Sequence, residues 1–282
     1  MSGIGLLFIL ILGLPIWFFV LLGRTAIKRP EVPWRAHLRK LAPEWCLWLG
    51  LSGVVALSLP IVTPGREASR RVSCVNNLKQ IGLALHNYQQ AYGCLPPAYT
   101  TDKQGRPLHS WRVLVLPYLE RGRLYDRLRL DEPWDSEHNR EVAEQACPHG
   151  VPEYRCPSER DGRVMDTSYV MLVGPGTISD RGSCTRLKEI ADGTPNTVVV
   201  AEMARSGIHW MEPRDLNVGE MSWKLNDFDS PAVRSDHPGL ANVLLASGAV
   251  HTLREEEIDP EGLRGLTTIA GGEDVKRIVD RW

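Results

Sequence analysis

The sequence predicts an α+β fold: one long helix packed on an antiparallel sheet, with two apolar segments before it. Three observations carry this. An apolar run, Cys46 to Thr63 (CLWLGLSGVVALSLPIVT), passes through Pro64-Gly65 into REASRRVSCVNNLKQIGLALHNYQQAYG. There Cys74, Leu78, Ile81, Leu85, Tyr88 and Tyr92 recur at alternating steps of four and three, which lines them up as one stripe on a helix. That stripe is expected to bury against the sheet. The β-rich runs TSYVMLVGPG (Thr167 to Gly176) and NTVVVAEM (Asn196 to Met203), bounded by Gly, Pro, Asp and Asn, read as strands. Finally, ANVLLASGAVHTL (Ala241 to Leu253) reads as two strands joined through Ser247-Gly248, a hairpin.

From the N-terminus, Gly3 to Gly23 (GIGLLFILILGLPIWFFVLLG) carries no charge and is long enough to cross a bilayer. No Lys or Arg precedes it and RTAIKRP follows it, without an A-x-A-like site, so it reads as a retained span rather than a cleaved signal peptide. Residues 24–45 hold Arg24, Lys28, Arg29, Arg35, Arg39 and Lys40 against Glu31 and Glu44. The positive-inside rule places this loop in the cytoplasm. Residues 46–63 form the second span, and residues 64–282 are expected to be one extracytoplasmic α+β domain at the inner membrane.

The later elements follow from local signals. Gly93-Cys94-Leu95-Pro96-Pro97 ends the helix, because Gly suits the C-cap and the prolines cannot continue. In WRVLVLPYLERGRLYDRL, Trp111, Val113, Val115 and Leu116 read as strand or short helix, and Leu119, Leu124 and Leu128 as a brief helix. DEPWDSEHN is a loop opening a helix around Arg140 to Ala146. Asp259 can cap a last helix with Pro260 at its first position, and Gly271-Gly272 are expected to stop it.

A net charge of -1 argues against a nucleic-acid partner. With 43% hydrophobic and 24% charged residues the chain has the composition of a folded protein. Cys46 falls in the second span, leaving Cys74, Cys94, Cys147, Cys156 and Cys184 in the head. That is an odd number, so at least one stays free or pairs between chains. Cys147 and Cys156 bracket PHGVPEYR, a short loop that a disulfide can close. No C-x-x-C occurs, so neither a zinc ribbon nor a thioredoxin-like site has support.

Taken in order, CVNNLKQIGLALHNY, WRVLVLPYLE, LYDRLRLDEPWDSEHN, YRCPS, TSYVMLVGPGT, IADGTPNTVVVAE, WMEPRDL, HPGLANVLLASGAV and LRGLTTIAGGE resemble the planctomycete-type prepilin-like family, the domain-of-unknown-function 1559 family. The resemblance runs from about Pro60 to Asp274. It implies a head like that of type IV pilins and pseudopilins, carried on an N-terminal membrane helix and exported to the envelope. It also implies a C-terminal H-x9-DG motif, met here by His237, Asn242, Ser247 and Gly248 with Ser247 standing where the motif has Asp. No biochemical role comes with it. The chain departs in two further respects. It lacks the Gly-Phe junction that prepilin peptidase cuts, showing LRKLAPEWCLWLG with Glu44 near the family's Glu, and it has the added span upstream.

For chemistry, His237 in SDHPGLAN is the foremost candidate. It reads either as a metal or proton-transfer partner alongside Asp236, or as a loop histidine bonded to backbone at the entry to the hairpin, and the second is expected. His86 reads as structural. Glu202, Glu212, Asp215 and Asp236 could gather a cation but show no EF-hand spacing, and Arg214 between Glu212 and Asp215 reads as a salt-bridged turn. There is no G-x-S-x-G, H-E-x-x-H, Walker loop or G-x-G-x-x-G. Trp111, Trp134, Trp210 and Trp223 form either core anchors or a ligand platform. The expectation is a membrane-anchored, prepilin/pseudopilin-like protein that is not an enzyme and has no cofactor or metal. It would be a structural or interaction component of the envelope or a secretion apparatus, partnered by the membrane and by envelope or secretion proteins. The alternative is an anchored ligand- or solute-binding module.

Overall fold

The computed structural model describes residues 65–159, 162–180 and 183–272. The chain divides into two units, 1–66 and 67–282, and almost every described residue belongs to the second. The expected spans Gly3 to Gly23 and Cys46 to Thr63, and the basic loop between them, lie outside the described residues. Among the described residues no helix is long and apolar enough to cross a membrane.

Helix α1 covers residues 65–92. It contains no proline and ends where Gly93 turns to φ +81, its N–H donating to the Gln89 carbonyl at 2.8 Å. Cys74, Leu78, Ile81 and Leu85 of the stripe are buried, and Tyr88 is partly buried against the same core. Tyr92 is a correction: it is 64% exposed. It sits in the last turn of the helix and rests on the Tyr88 ring with centroids 4.3 Å apart.

Strands β1 (Tyr99–Thr101) and β2 (Pro107–Ser110) make a small antiparallel hairpin. Short helices follow at α2 (Trp111–Leu114) and α3 (Gly122–Tyr125), then α4 (Glu137–Ala146), whose first turn is capped by the Ser136 hydroxyl accepting from Asn139 N–H.

The main sheet has five strands in the order β5-β3-β4-β6-β7. They are β3 (Tyr169–Val173), β4 (Val198–Glu202), β5 (Leu216–Asn217), β6 (Leu240–Leu245) and β7 (Val250–Arg254). Strands β3, β4, β6 and β7 pair antiparallel, with Val200 opposite both Met171 and Leu244. The wholly antiparallel expectation is corrected at the edge, where β5 runs parallel to β3. So short a strand leaves no period-two pattern to read.

Helix α5 (Pro260–Gly265) starts as expected, with Asp259 accepting from Gly262 N–H at 2.7 Å. It stops before Gly271-Gly272, because the next carbonyl, that of Leu266, is taken by Val198 N–H at 2.7 Å. Both faces of the sheet are covered. On one, Tyr169, Met171, Val200 and Leu244 meet Leu78, Ile81 and Leu85 of α1. On the other, Val170, Leu172, Ala201, Val243 and Leu245 meet Leu263 and Leu266. Central strands buried on both faces read as continuous apolar runs rather than alternating ones.

Two disulfides fasten α1 and the turn after it to this body. Cys74 pairs with Cys156 (Cα–Cα 5.3 Å) and Cys94 with Cys184 (Cα–Cα 5.7 Å). The Cys147–Cys156 pairing is thereby corrected, and Cys147 is a buried free thiol. Its side chain ends α4 inside the core beside Val142, Val151 and Tyr154, while Cys156 faces the helix.

Candidate functional site

The first turns of α1 carry Glu67, Arg70 and Cys74, at spacings that put Glu67 two turns before Cys74 on one face. The segment after Tyr154 brings Cys156 and Ser158 beneath them. Glu202 is the last residue of β4, and His237 lies in the loop that enters β6.

These side chains form one cluster. His237 is buried, and its Nδ1 is bonded to Glu67 Oε1 and lies 3.4 Å from Ser158 Oγ. Nε2 faces the disulfide, 3.2 Å from Cys74 Sγ and 3.5 Å from Cys156 Sγ. Arg70 Nη2 donates to Glu67 Oε2 at 2.6 Å, and Ser158 Oγ donates to Glu67 Oε1 at 3.2 Å. Burial pushes the Glu67 carboxyl up, but the hydrogen bonds from His237, Arg70 and Ser158 outweigh it and hold it below its usual range. An ionised carboxylate only accepts, so Nδ1 must carry the proton toward Glu67.

Glu202 is 1% exposed. Its Oε2 accepts from Asn242 N–H at 2.8 Å and its Oε1 from the Asn242 side-chain amide at 3.1 Å. Asn242 Oδ1 in turn accepts from Thr252 Oγ1 at 2.7 Å. Burial drives the Glu202 carboxyl up, against those bonds. Asn242 is thus a structural link between β4, β6 and β7.

Ser247 and Gly248 close the β6–β7 turn away from His237. Gly248 has φ +88, and a Cβ there would meet the His86 ring at 3.3 Å, so the turn requires glycine both for its backbone and for its contact with α1. His237 differs from its expected role: its ring is bound by side chains of α1 and the Cys156–Ser158 segment. The proposed cation group does not gather. Asp215 Oδ1 accepts from Arg112 Nη2 at 2.5 Å, Glu212 pairs with Arg214 at 2.7 Å, and Asp236 pairs with Arg205 at 2.9 Å.

The cluster is not arranged for nucleophilic relay. A Ser–His–acid triad puts serine and carboxylate on opposite ring nitrogens, whereas Ser158 and Glu67 share Nδ1 of His237. What the cluster offers instead is a convergence of metal-type ligand atoms. Glu67 and Ser158 are absent from the residues that the sequence singles out, whereas Glu202 is among its candidate cation ligands but meets Cys74, Cys156 and His237 rather than Glu212, Asp215 and Asp236. The available signal is that Glu67 extends the α1 stripe by two turns.

A separate cavity of about 590 Å³ is lined by Tyr99, Met203, Arg214, Asp215, Phe228 and Arg234, among others. The tryptophans do not surround it. Trp111 and Trp210 are in the core, Trp134 lies against His209 with centroids 5.0 Å apart, and Trp223 sits under Arg264.

Residues 63–183 match the family model described as protein of unknown function (DUF1559). No curated protein and no solved structure matches the chain.

Proposed function

We propose that this chain, a member of the DUF1559 family through its matched stretch, is a membrane-anchored, pilin-like protein that acts by holding or docking other envelope proteins rather than by catalysis. Its head would stand outside the cytoplasm, and the apolar runs Gly3 to Gly23 and Cys46 to Thr63 would anchor it.

The observation that carries this reading is the clamping of α1 by the Cys74–Cys156 and Cys94–Cys184 disulfides. Disulfides persist in oxidising compartments and are rare in the cytosol, and α1 follows directly on the second apolar run. Burial of Trp111 and Trp210 also favours a scaffold over an aromatic ligand platform. The cavity by Phe228 and Arg234 favours the second reading, an anchored solute-binding module.

Isolation of the intact protein from native membranes in mild detergent separates the two. Stoichiometric envelope or secretion proteins in the same complex support docking. A chain that purifies alone with a bound small molecule overturns it in favour of solute binding.

A further inference from the structure

Four ligand-type atoms meet beneath α1: Sγ of Cys74, Sγ of Cys156, a ring nitrogen of His237 and a carboxylate oxygen of Glu202, all within 4.8 Å of one another. All four residues are buried. With the disulfide closed, Nε2 of His237 faces two sulfurs that carry no proton to give it. Glu202 is a buried carboxylate whose hydrogen bonds come from Asn242 and Ser235, both neutral. Buried charges are normally paired or bound to metal, and hydrogen bonds from neutral groups offset the burial of this carboxylate only in part.

We propose that reducing the Cys74–Cys156 disulfide turns this cluster into a four-ligand zinc site held by Cys74, Cys156, His237 and Glu202. A thiol or phosphine reductant supplies two electrons and the S–S bond breaks. Each sulfur takes a proton, and the reductant leaves as its own disulfide or, with water's oxygen, as a phosphine oxide. Zn²⁺ then replaces both thiol protons and any proton on Glu202, and these pass to solvent.

The donors suit the ion. Zinc takes thiolate, neutral imidazole and carboxylate tetrahedrally at about 2.0–2.3 Å, which sets ligand atoms roughly 3–4 Å apart. Once the disulfide opens, the two sulfurs have to separate by about 1–2 Å to reach that spacing, while Nε2 of His237 already lies 3.2 and 3.5 Å from them and no two of the four atoms are more than 4.8 Å apart. The outer shell is already in place. Zinc-bound histidines almost always donate their other ring N–H to a carboxylate, backbone carbonyl or water, and Nδ1–H of His237 donates to Glu67. That bond fixes the tautomer which leaves the Nε2 lone pair facing the sulfurs. The ion also has a way in, since the side chains of Glu67 and Arg70 above the cluster are 28% and 30% exposed.

The test uses the full chain in detergent, reduced with a water-soluble phosphine, desalted, and loaded with Zn²⁺ alone or with Co²⁺ as a spectroscopic probe. The reduced protein is expected to retain one zinc per chain through gel filtration, the oxidised protein none, and cobalt is expected to give a thiolate charge-transfer band. Glu67→Gln should weaken zinc affinity by about 10–100-fold without moving the band. Cys147→Ser should change nothing, and His237→Ala should abolish retention. A reduced wild type that holds no zinc overturns the proposal. So does zinc retained equally by the His237→Ala and Cys147→Ser proteins, or a cobalt complex without thiolate charge transfer.

Discussion

Gly82 of α1 lies directly beneath Leu244 of β6: a methyl placed on Gly82 would come within 2.8 Å of Leu244 Cδ1. Leu244 is itself 1% exposed, so its side chain has little room to yield. Alanine in place of a mid-helix glycine gains about 1 kcal/mol of helix propensity, while overpacking a full core costs about 1–3 kcal/mol. The net for Gly82→Ala is a destabilisation of about 0–2 kcal/mol, which should lower the thermal midpoint by no more than a few degrees. Gly82→Leu should lower it by many degrees. Equal midpoints for both variants would show that α1 does not press on the sheet here.

Leu85 and Leu83 make a matched pair on opposite faces of α1, with Leu85 2% and Leu83 63% exposed. Cutting a buried leucine to alanine costs about 2–5 kcal/mol, whereas exposed cuts usually stay within about 0.5 kcal/mol. Leu85→Ala should therefore lower the melting temperature of the purified chain clearly and Leu83→Ala should not. A reversed order would place the sheet on the other face of the helix.

His209 sets a pH dependence. Burial lowers its pKa from the ordinary 6.5 to about 4. Between those values the unfolded chain binds a proton that the folded chain refuses, so stability is full above about pH 6.5 and falls as pH drops toward about 4. The loss approaches about 3 kcal/mol at most. Burial also pulls His109 and His251 down, with the same sign, while Glu159 and Glu202 are pushed up and act oppositely. The clean reading is thus a difference: a His209→Gln chain should lose less stability over that window in denaturant titrations. Identical slopes for both chains would refute it.

Thiol counting tests the pairing. Among the five cysteines of the head, an alkylating reagent in denaturant without reductant should label Cys147 and leave Cys74, Cys94, Cys156 and Cys184 unlabelled until reduction. The crosslinks join residues 82 and 90 positions apart, and opening either should cost about 2–4 kcal/mol. A peptide map with Cys147 joined to Cys156 would reverse the assignment.

Elements with a strong local period could be read directly. Cys74, Leu78, Ile81 and Leu85 mark the buried face of α1 because the 3.6-residue repeat is unbroken, and Tyr92, the last residue of the helix, continues the repeat but is exposed. Val198 to Glu202 and Leu240 to Leu245 are strands whose β-branched and leucine runs show burial on both sides. Ser247-Gly248 and Asp259-Pro260 mark turn and cap by their own backbone chemistry. The edge strand Leu216–Asn217 is too short for any period. The His237 cluster was invisible for another reason. Glu67, Cys156, Glu202 and His237 lie on four separate segments, and only the chain reversals between them bring the side chains together. Glu202 can be picked out as a candidate ligand from its charge, but nothing local in the sequence links it to Cys74, Cys156 and His237.

We propose that the head stands outside the cytoplasm on two spans, and protease accessibility in intact spheroplasts is the direct test. Protease added outside should digest residues beyond about Thr63 and spare a tag placed beside Arg35, as expected for a loop that holds Arg24, Lys28, Arg29, Arg35, Arg39 and Lys40 on the cytoplasmic side. A head that survives while the tag is removed would put the loop outside and the head inside, and a chain released to the soluble fraction with its head intact would rule out the two-span anchor.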